Sequence, residues 1–180
     1  MKKLCVISTV LSLLFFAHGC ILMHSVSYEI NANGKGGGTA VVTVDNIKSD
    51  ALNSSELNDD KKALFEFMYK SDEFISQMKD EGKEITSRKL YVEDGELNGE
   101  VHFKFDSLKN VEGIVYEEPF YYLTLATGDS VISTNGEVIK TDDYKRILWD
   151  NTIKVLKFRM FSDSVDSGNL TGMAQYFKQE

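Results

Sequence analysis

The sequence predicts an α+β domain: a mainly antiparallel sheet of hairpins, with one long amphipathic helix at about 59–81 packed on it and a short C-terminal helix. Three observations lead there. Leu97, Gly99, Val101, Phe103 and Phe105 alternate strictly with Asn98, Glu100, His102, Lys104 and Asp106, which is the period of a half-buried strand. Leu64, Phe67, Met68, Phe74, Ile75 and Met78 recur every three or four residues, the period of one helix face. Turn signals at Asn33-Gly34, Asp94-Gly95 and Asn135-Gly136 punctuate β-branched and aromatic runs.

Taken in order, Ser25 to Asn31 and Thr39 to Val44 read as strands joined through Asn33-Gly34-Lys35-Gly36-Gly37-Gly38, because Asn and Gly reach positive φ cheaply. Asp45 to Asn58 is polar and reads as a loop or a frayed turn. The helix follows, with acids at its start and Gly82 as its stop. Glu84 to Val92 turns at Glu93-Asp94-Gly95 into the alternating strand, and Ser107 to Gly113 reads as a short helix. Phe120 to Ala126 and Val131 to Thr134 read as strands around Gly128-Asp129, with a short strand near Val138 beyond Asn135-Gly136. Arg146 to Trp149 and Thr152 to Phe161 read as a final hairpin turned at Asp150-Asn151. Leu170, Met173, Ala174 and Phe177 fall at helical spacing.

Ahead of this domain, Lys2 and Lys3 precede an apolar run from Leu4 to Ala17, too short to span a bilayer and right for an export signal over residues 1–19. The run closes in Ala17-His18-Gly19-Cys20, with small residues three and one places before the cysteine, so cleavage is expected between Gly19 and Cys20. That segment resembles the lipobox of bacterial lipoproteins. The resemblance implies acylation of Cys20, with chains such as palmitate, before a dedicated peptidase cuts. Ala17 and His18 stand where the family usually has Leu and a small residue, so cleavage at the same bond to leave a free Cys20 thiol is the alternative. Cys5 leaves with the signal, and Cys20 then has no intramolecular disulfide partner, which favours acylation in an oxidising compartment. Two or three acyl chains make a durable anchor, at about 0.8 kcal/mol per buried methylene. Residues 20–24 form the anchor segment and 25–180 a single domain. The glycine-rich hairpin, the Phe/Met helix and Val101-His102-Phe103-Lys104-Phe105-Asp106-Ser107-Leu108 resemble small bacterial surface lipoproteins and, in outline, the LppM-type lipoprotein domain, over about residues 25–115. This implies an envelope location, at the outer membrane or cell surface rather than the cytoplasmic membrane, and an α+β fold.

Residues 1–19 hold two lysines and no acid, so the mature chain has 18 basic and 28 acidic residues, a net charge of −10. Such a surface repels nucleic acid and excludes attachment to membranes by a polybasic patch. Catalytic machinery is not legible. The mature chain offers only His24 and His102, and no nucleophile-elbow motif accompanies them. Two histidines 78 residues apart and one cysteine make a poor zinc set, and Asp163 to Gly168 places Val and Ser where calcium ligands belong. Lys35 among glycines lacks the Gly-Lys-Ser/Thr ending of a phosphate loop. Glu117, Glu118 and Asp129 are the carboxylates best placed among aromatic residues for glycosidic chemistry, but clusters of this kind are expected in so acidic a chain. No metal and no cofactor is expected.

The expectation is a non-enzymatic envelope lipoprotein, held to the membrane through its acyl chains, with a structural or adaptor role toward another envelope protein. A sheet edge or the patch Phe120, Tyr121 and Tyr122 would serve that contact. The alternative is a lipid or glycolipid binding module, with the helix and sheet enclosing an apolar pocket and the basic pair Lys157 and Arg159 meeting anionic headgroups.

Overall fold

A computed structural model describes residues 20–33, 36–161 and 170–178. The export signal expected over 1–19 lies outside the described residues, as do Gly34 and Lys35 of the glycine hairpin and the acidic stretch Asp163 to Gly168.

The domain is α+β, with antiparallel strands in two sheets. β1 (Ile21–Ala32) and β2 (Gly38–Ser49) form the long hairpin that the glycine cluster predicts. Both outrun their expected limits. β1 begins at Ile21, which draws the expected anchor segment into the sheet, and β2 runs to Ser49 through residues read as loop. A change of phase hid this. Inward-facing residues on β1 are Val26, Tyr28 and Ile30, and then Met23 and Ile21; on β2 they are Ala40, Val42 and Val44, and then Ile47 and Ser49. Asn46, at φ +51°, absorbs the shift on β2.

Asn53 opens α1 (Ser54–Lys61), its side chain accepting the N–H of Ser55 and of Glu56 at 3.0 Å each. The helix runs on directly as a π-helical stretch, Lys62–Met68. α2 (Asp72–Asp80) is a separate helix, opened by the Ser71 hydroxyl accepting Glu73 N–H at 3.0 Å and closed at Gly82, φ +76°. The one long helix expected at 59–81 is thus two. Periodicity missed the break because Leu64, Met68, Phe74 and Met78 line the same cavity on both sides of it. What occupies the break is Arg88 from the sheet. Its Nη1 and Nη2 donate to the carbonyls of Met68 at 2.7 Å and Ser71 at 3.0 Å, acceptors that an unbroken helix would spend on the next turn.

β3 (Lys83–Glu93) and β4 (Glu96–Phe105) pair through Asp94 and Gly95, at φ +52° and +82°, the tight turn that Asp-Gly predicts. Past a 3₁₀ turn at Leu108–Asn110 come β5 (Val115–Glu117), β6 (Phe120–Leu125), β7 (Val131–Thr134), β8 (Glu137–Lys140), β9 (Lys145–Asp150) and β10 (Val155–Phe161). The large sheet has the order β3-β4-β2-β1-β10-β7, and the small one β5-β6-β9-β8.

The final hairpin at Asp150-Asn151 is therefore not formed, nor is one at Asn135-Gly136: both turns carry the chain between sheets. The side chain of Asn135 shows why. Its Oδ1 accepts from Trp149 Nε1 at 2.9 Å in the small sheet and from Lys157 N–H at 2.8 Å in the large one, while its Nδ2 donates to Val155 O at 2.8 Å. A Cβ on Gly136 would stand 2.7 Å from the Leu148 carbonyl and from the Trp149 indole nitrogen, so glycine here serves close approach. At the C-terminal end, β11 (Thr171–Gly172) pairs with β2 and a 3₁₀ turn, Met173–Tyr176, replaces the expected helix.

Two cores result. The first lies between the sheets, around Tyr28, Phe103, Trp149 and Phe158. The second lies under α1, around Ile21, Ile47, Leu64, Leu97 and Met173. No described helix is long and apolar enough to cross a membrane.

Candidate functional site

A cavity of about 190 Å³ opens where the two cores meet, lined by Tyr28 and Phe103 of the first and Ile47 and Leu64 of the second. Its roof is helical, made by Met68, Tyr69, Phe74 and Met78, so the break between α1 and α2 lies directly over it. Its floor is the inward face of the large sheet, with Val26, Val42, Val44, Ile85, Leu90 and Val101. Gly99 also belongs to the floor, where Val44 and Leu90 close over it: an added Cβ would stand 3.0 Å from Val44 Cγ2 and 3.2 Å from Leu90 Cδ2. Aliphatic β-branched residues below and flexible Met and Phe above make a surface that adapts to an apolar guest.

Charge touches this cavity at few places. Arg88 faces the helices from β3, half-buried, and burial lowers the pKa of its guanidinium while nearby Asp72 opposes the shift; the group stays protonated. Glu112 accepts the hydroxyl of buried Tyr28 at 2.8 Å, and burial together with that carboxylate pushes the phenol well above its ordinary range. Lys83 pairs with Glu81 at 3.1 Å and Lys89 with Glu100 at 3.0 Å. Among the described residues no carboxylate lies within ion-pair distance of Arg88.

The residues singled out in the sequence lie elsewhere. Cys20 is exposed, one residue before β1, and its backbone N–H donates to Asp50 Oδ1 at 2.7 Å. Partial burial first, then Asp50 and Asp60, raise the pKa of its thiol, which disfavours the reactive thiolate. Lys157 and Arg159 stand on β10 and are each matched by an acid: Lys157 meets Glu29 at 2.8 Å, and Arg159 meets Asp45 at 2.8 Å while also donating to Ser25 Oγ. His102 is bonded to Glu100 at 2.8 Å, and His24 sits edge-on to Phe161. Of the aromatic patch, Tyr122 faces outward under the Arg146 guanidinium, 4.5 Å from its ring centroid, with Tyr144 on the same cation at 4.8 Å. Phe120 shares that outward face by strand alternation, whereas Tyr121 packs against the first core and Tyr116. Glu117 accepts the Tyr122 hydroxyl at 2.8 Å and the Asp129 side chain accepts Ala126 N–H, so those two carboxylates hold local turns and rings.

Sequence reasoning missed Arg88. The available signal was a cation at an inward position of a strand, which the bulge at Thr86 moves out of simple alternation. No family model matches the chain, and neither a curated protein nor a solved structure matches it.

Proposed function

We propose that this chain is an envelope lipoprotein whose domain binds an apolar ligand, the acyl chain of a lipid, in the cavity between its two helices and the large sheet. The observation that carries this reading is the cavity itself, which is lined almost wholly by aliphatic and aromatic side chains and bordered by one inward-facing unpaired cation. A cavity of about 150 Å³ with such walls stays dry and takes up a six-carbon ring. The cavity found here, about 190 Å³, is larger and partly open to solvent, so a longer guest can lie partly within it. Placement supports the reading. Acylation of Cys20 would hold the sheet against the headgroups, because β1 starts at the next residue and the cavity wall begins at Met23, about 10 Å along the same strand. Cleavage before Cys20 would also turn its N–H into an ammonium facing Asp50, fixing the anchor to the fold.

Two measurements test this. The protein from its native membranes should weigh more than residues 20–180 by two or three acyl chains, and a Cys20→Ala variant should lose both that mass and membrane retention. The chain from residue 20 carries every described element, and it should take up N-phenyl-1-naphthylamine, a neutral fluorophore that brightens in apolar surroundings. Failure to bind it, or any alkyl chain, would remove the ligand-binding reading.

A second reading, an adaptor for another envelope protein, draws on the outward face of the small sheet. Tyr122, Arg146 and Tyr144 stack there beside exposed Phe120 and Ile139, a composition typical of contact hot spots. Crosslinking in cells through this face should then trap one dominant partner, and recovery of only random neighbours would count against it.

A further inference from the structure

We propose that the guest of this cavity is a single-chain carboxylate, a fatty-acid-like molecule whose tail lies between the helices and the sheet and whose head meets the free edge of the Arg88 guanidinium. This rests on the ligand-binding reading above and adds the chemical class of the ligand. The argument begins with donor capacity. A guanidinium has five N–H donors in a planar fork, and Arg88 spends Nη1 on Met68 O and Nη2 on Ser71 O. Three N–H groups remain, enough for both oxygens of a carboxylate.

Charge selects the head. Of the other ionic groups lining the cavity, Lys83 is matched by Glu81, Lys89 and Glu100 match each other, and Glu112 is held by the Tyr28 hydroxyl. Arg88 has Asp72 nearby but beyond ion-pair distance, and none of these groups matches it, in a chain whose acids outnumber its bases by eight. One guanidinium without an ion-pair partner, in a cavity that Glu112 also lines, suits a monoanion better than the second negative charge of a phosphate monoester, and a neutral head would leave the guanidinium with carbonyl partners alone. Position selects the tail. Val101 lies directly opposite Arg88 on β4, with Val42 beyond it on β2, so apolar floor starts beside the cation.

The test uses the chain from residue 20 loaded with N-phenyl-1-naphthylamine and displaced in turn by decanoate, decan-1-ol and decyl phosphate at neutral pH. Decanoate should displace the dye at a concentration at least tenfold below decanol, an advantage of about 1.4 kcal/mol, and also below decyl phosphate. In Arg88→Met, which keeps an apolar stem, decanoate should fall to the level of the alcohol, while Arg88→Lys should keep part of the preference. Equal displacement by decanoate and decanol in the unaltered chain would overturn the carboxylate assignment and leave the apolar cavity standing; this comparison decides even if Arg88→Met does not fold. A lead for decyl phosphate would overturn it in favour of a phosphorylated head. A preference that persists in Arg88→Met would place the head elsewhere and overturn it too. No uptake of the dye or of any chain would defeat both this inference and the reading beneath it.

Discussion

Val101→Phe tests whether the cavity is usable space. Val101 projects from the sheet floor, with Val42 beside it on one neighbouring strand and Arg88 on the other. A phenyl ring in place of its isopropyl group would take up roughly 50 Å³ of the 190 Å³, and at about 24 cal/mol per Å³ of cavity the gain is about 1 kcal/mol. In a domain of this size that corresponds to a rise in Tm of about 3 °C. The same ring would stand where an acyl chain lies, so dye uptake should weaken at least tenfold. Calorimetric melting with and without N-phenyl-1-naphthylamine reads both effects. A fall in Tm of 3 °C or more would mean that the floor is already close-packed there, since overpacking costs about 1–3 kcal/mol. A rise in Tm with uptake unchanged would put the ligand somewhere else.

Asp60 is 1% exposed, its carboxylate accepting the Ser49 hydroxyl at 2.5 Å, and burial raises its pKa, reinforced by Asp50, Asp59 and Glu56. Because the folded value lies above the unfolded one, stability should be greatest below about pH 4 as far as this group is concerned and fall as pH climbs through the raised value; Asp60→Asn should flatten that decline in pH-dependent denaturant titrations. Trp149→Phe removes the indole donor to Asn135 and part of a fully buried ring, and should cost about 1–3 kcal/mol by urea unfolding followed by circular dichroism, against no loss if the two sheets are held by other contacts. Double-mutant cycles should give about 1 kcal/mol of coupling for Arg159 with Asp45, where the buried Ser25 hydroxyl bonds both partners, and less than about 0.5 kcal/mol for the exposed pair Lys157 with Glu29; equal couplings would mean that the buried serine adds nothing to the pair.

Legibility followed the range of the interaction. Strand periods, the Asp94-Gly95 turn and the stop at Gly82 depend on a few neighbouring residues, and all three stand in the structure as the sequence implied. Features that depend on a distant partner were misread. The start of α1 had a local signal in Asn53 and Glu56, overlooked because the segment is polar, but the gap between the helices needed Arg88, 17 residues beyond Ser71 in the chain.

The sequence by itself determined the class of the domain and most strand positions, because side-chain alternation and turn chemistry are properties of short stretches. Only the tertiary structure decided which sheet each late strand joins. Asn-Gly at 135–136 has the composition of a hairpin, yet Trp149, Val155 and Lys157 claim the Asn135 side chain from two different sheets, and that competition is non-local. The cavity belongs to the same category. It exists because the apolar faces of the π-helical stretch and α2 and one inward arginine meet over a sheet whose phase shifts at Asn46, an arrangement that no window along the chain contains.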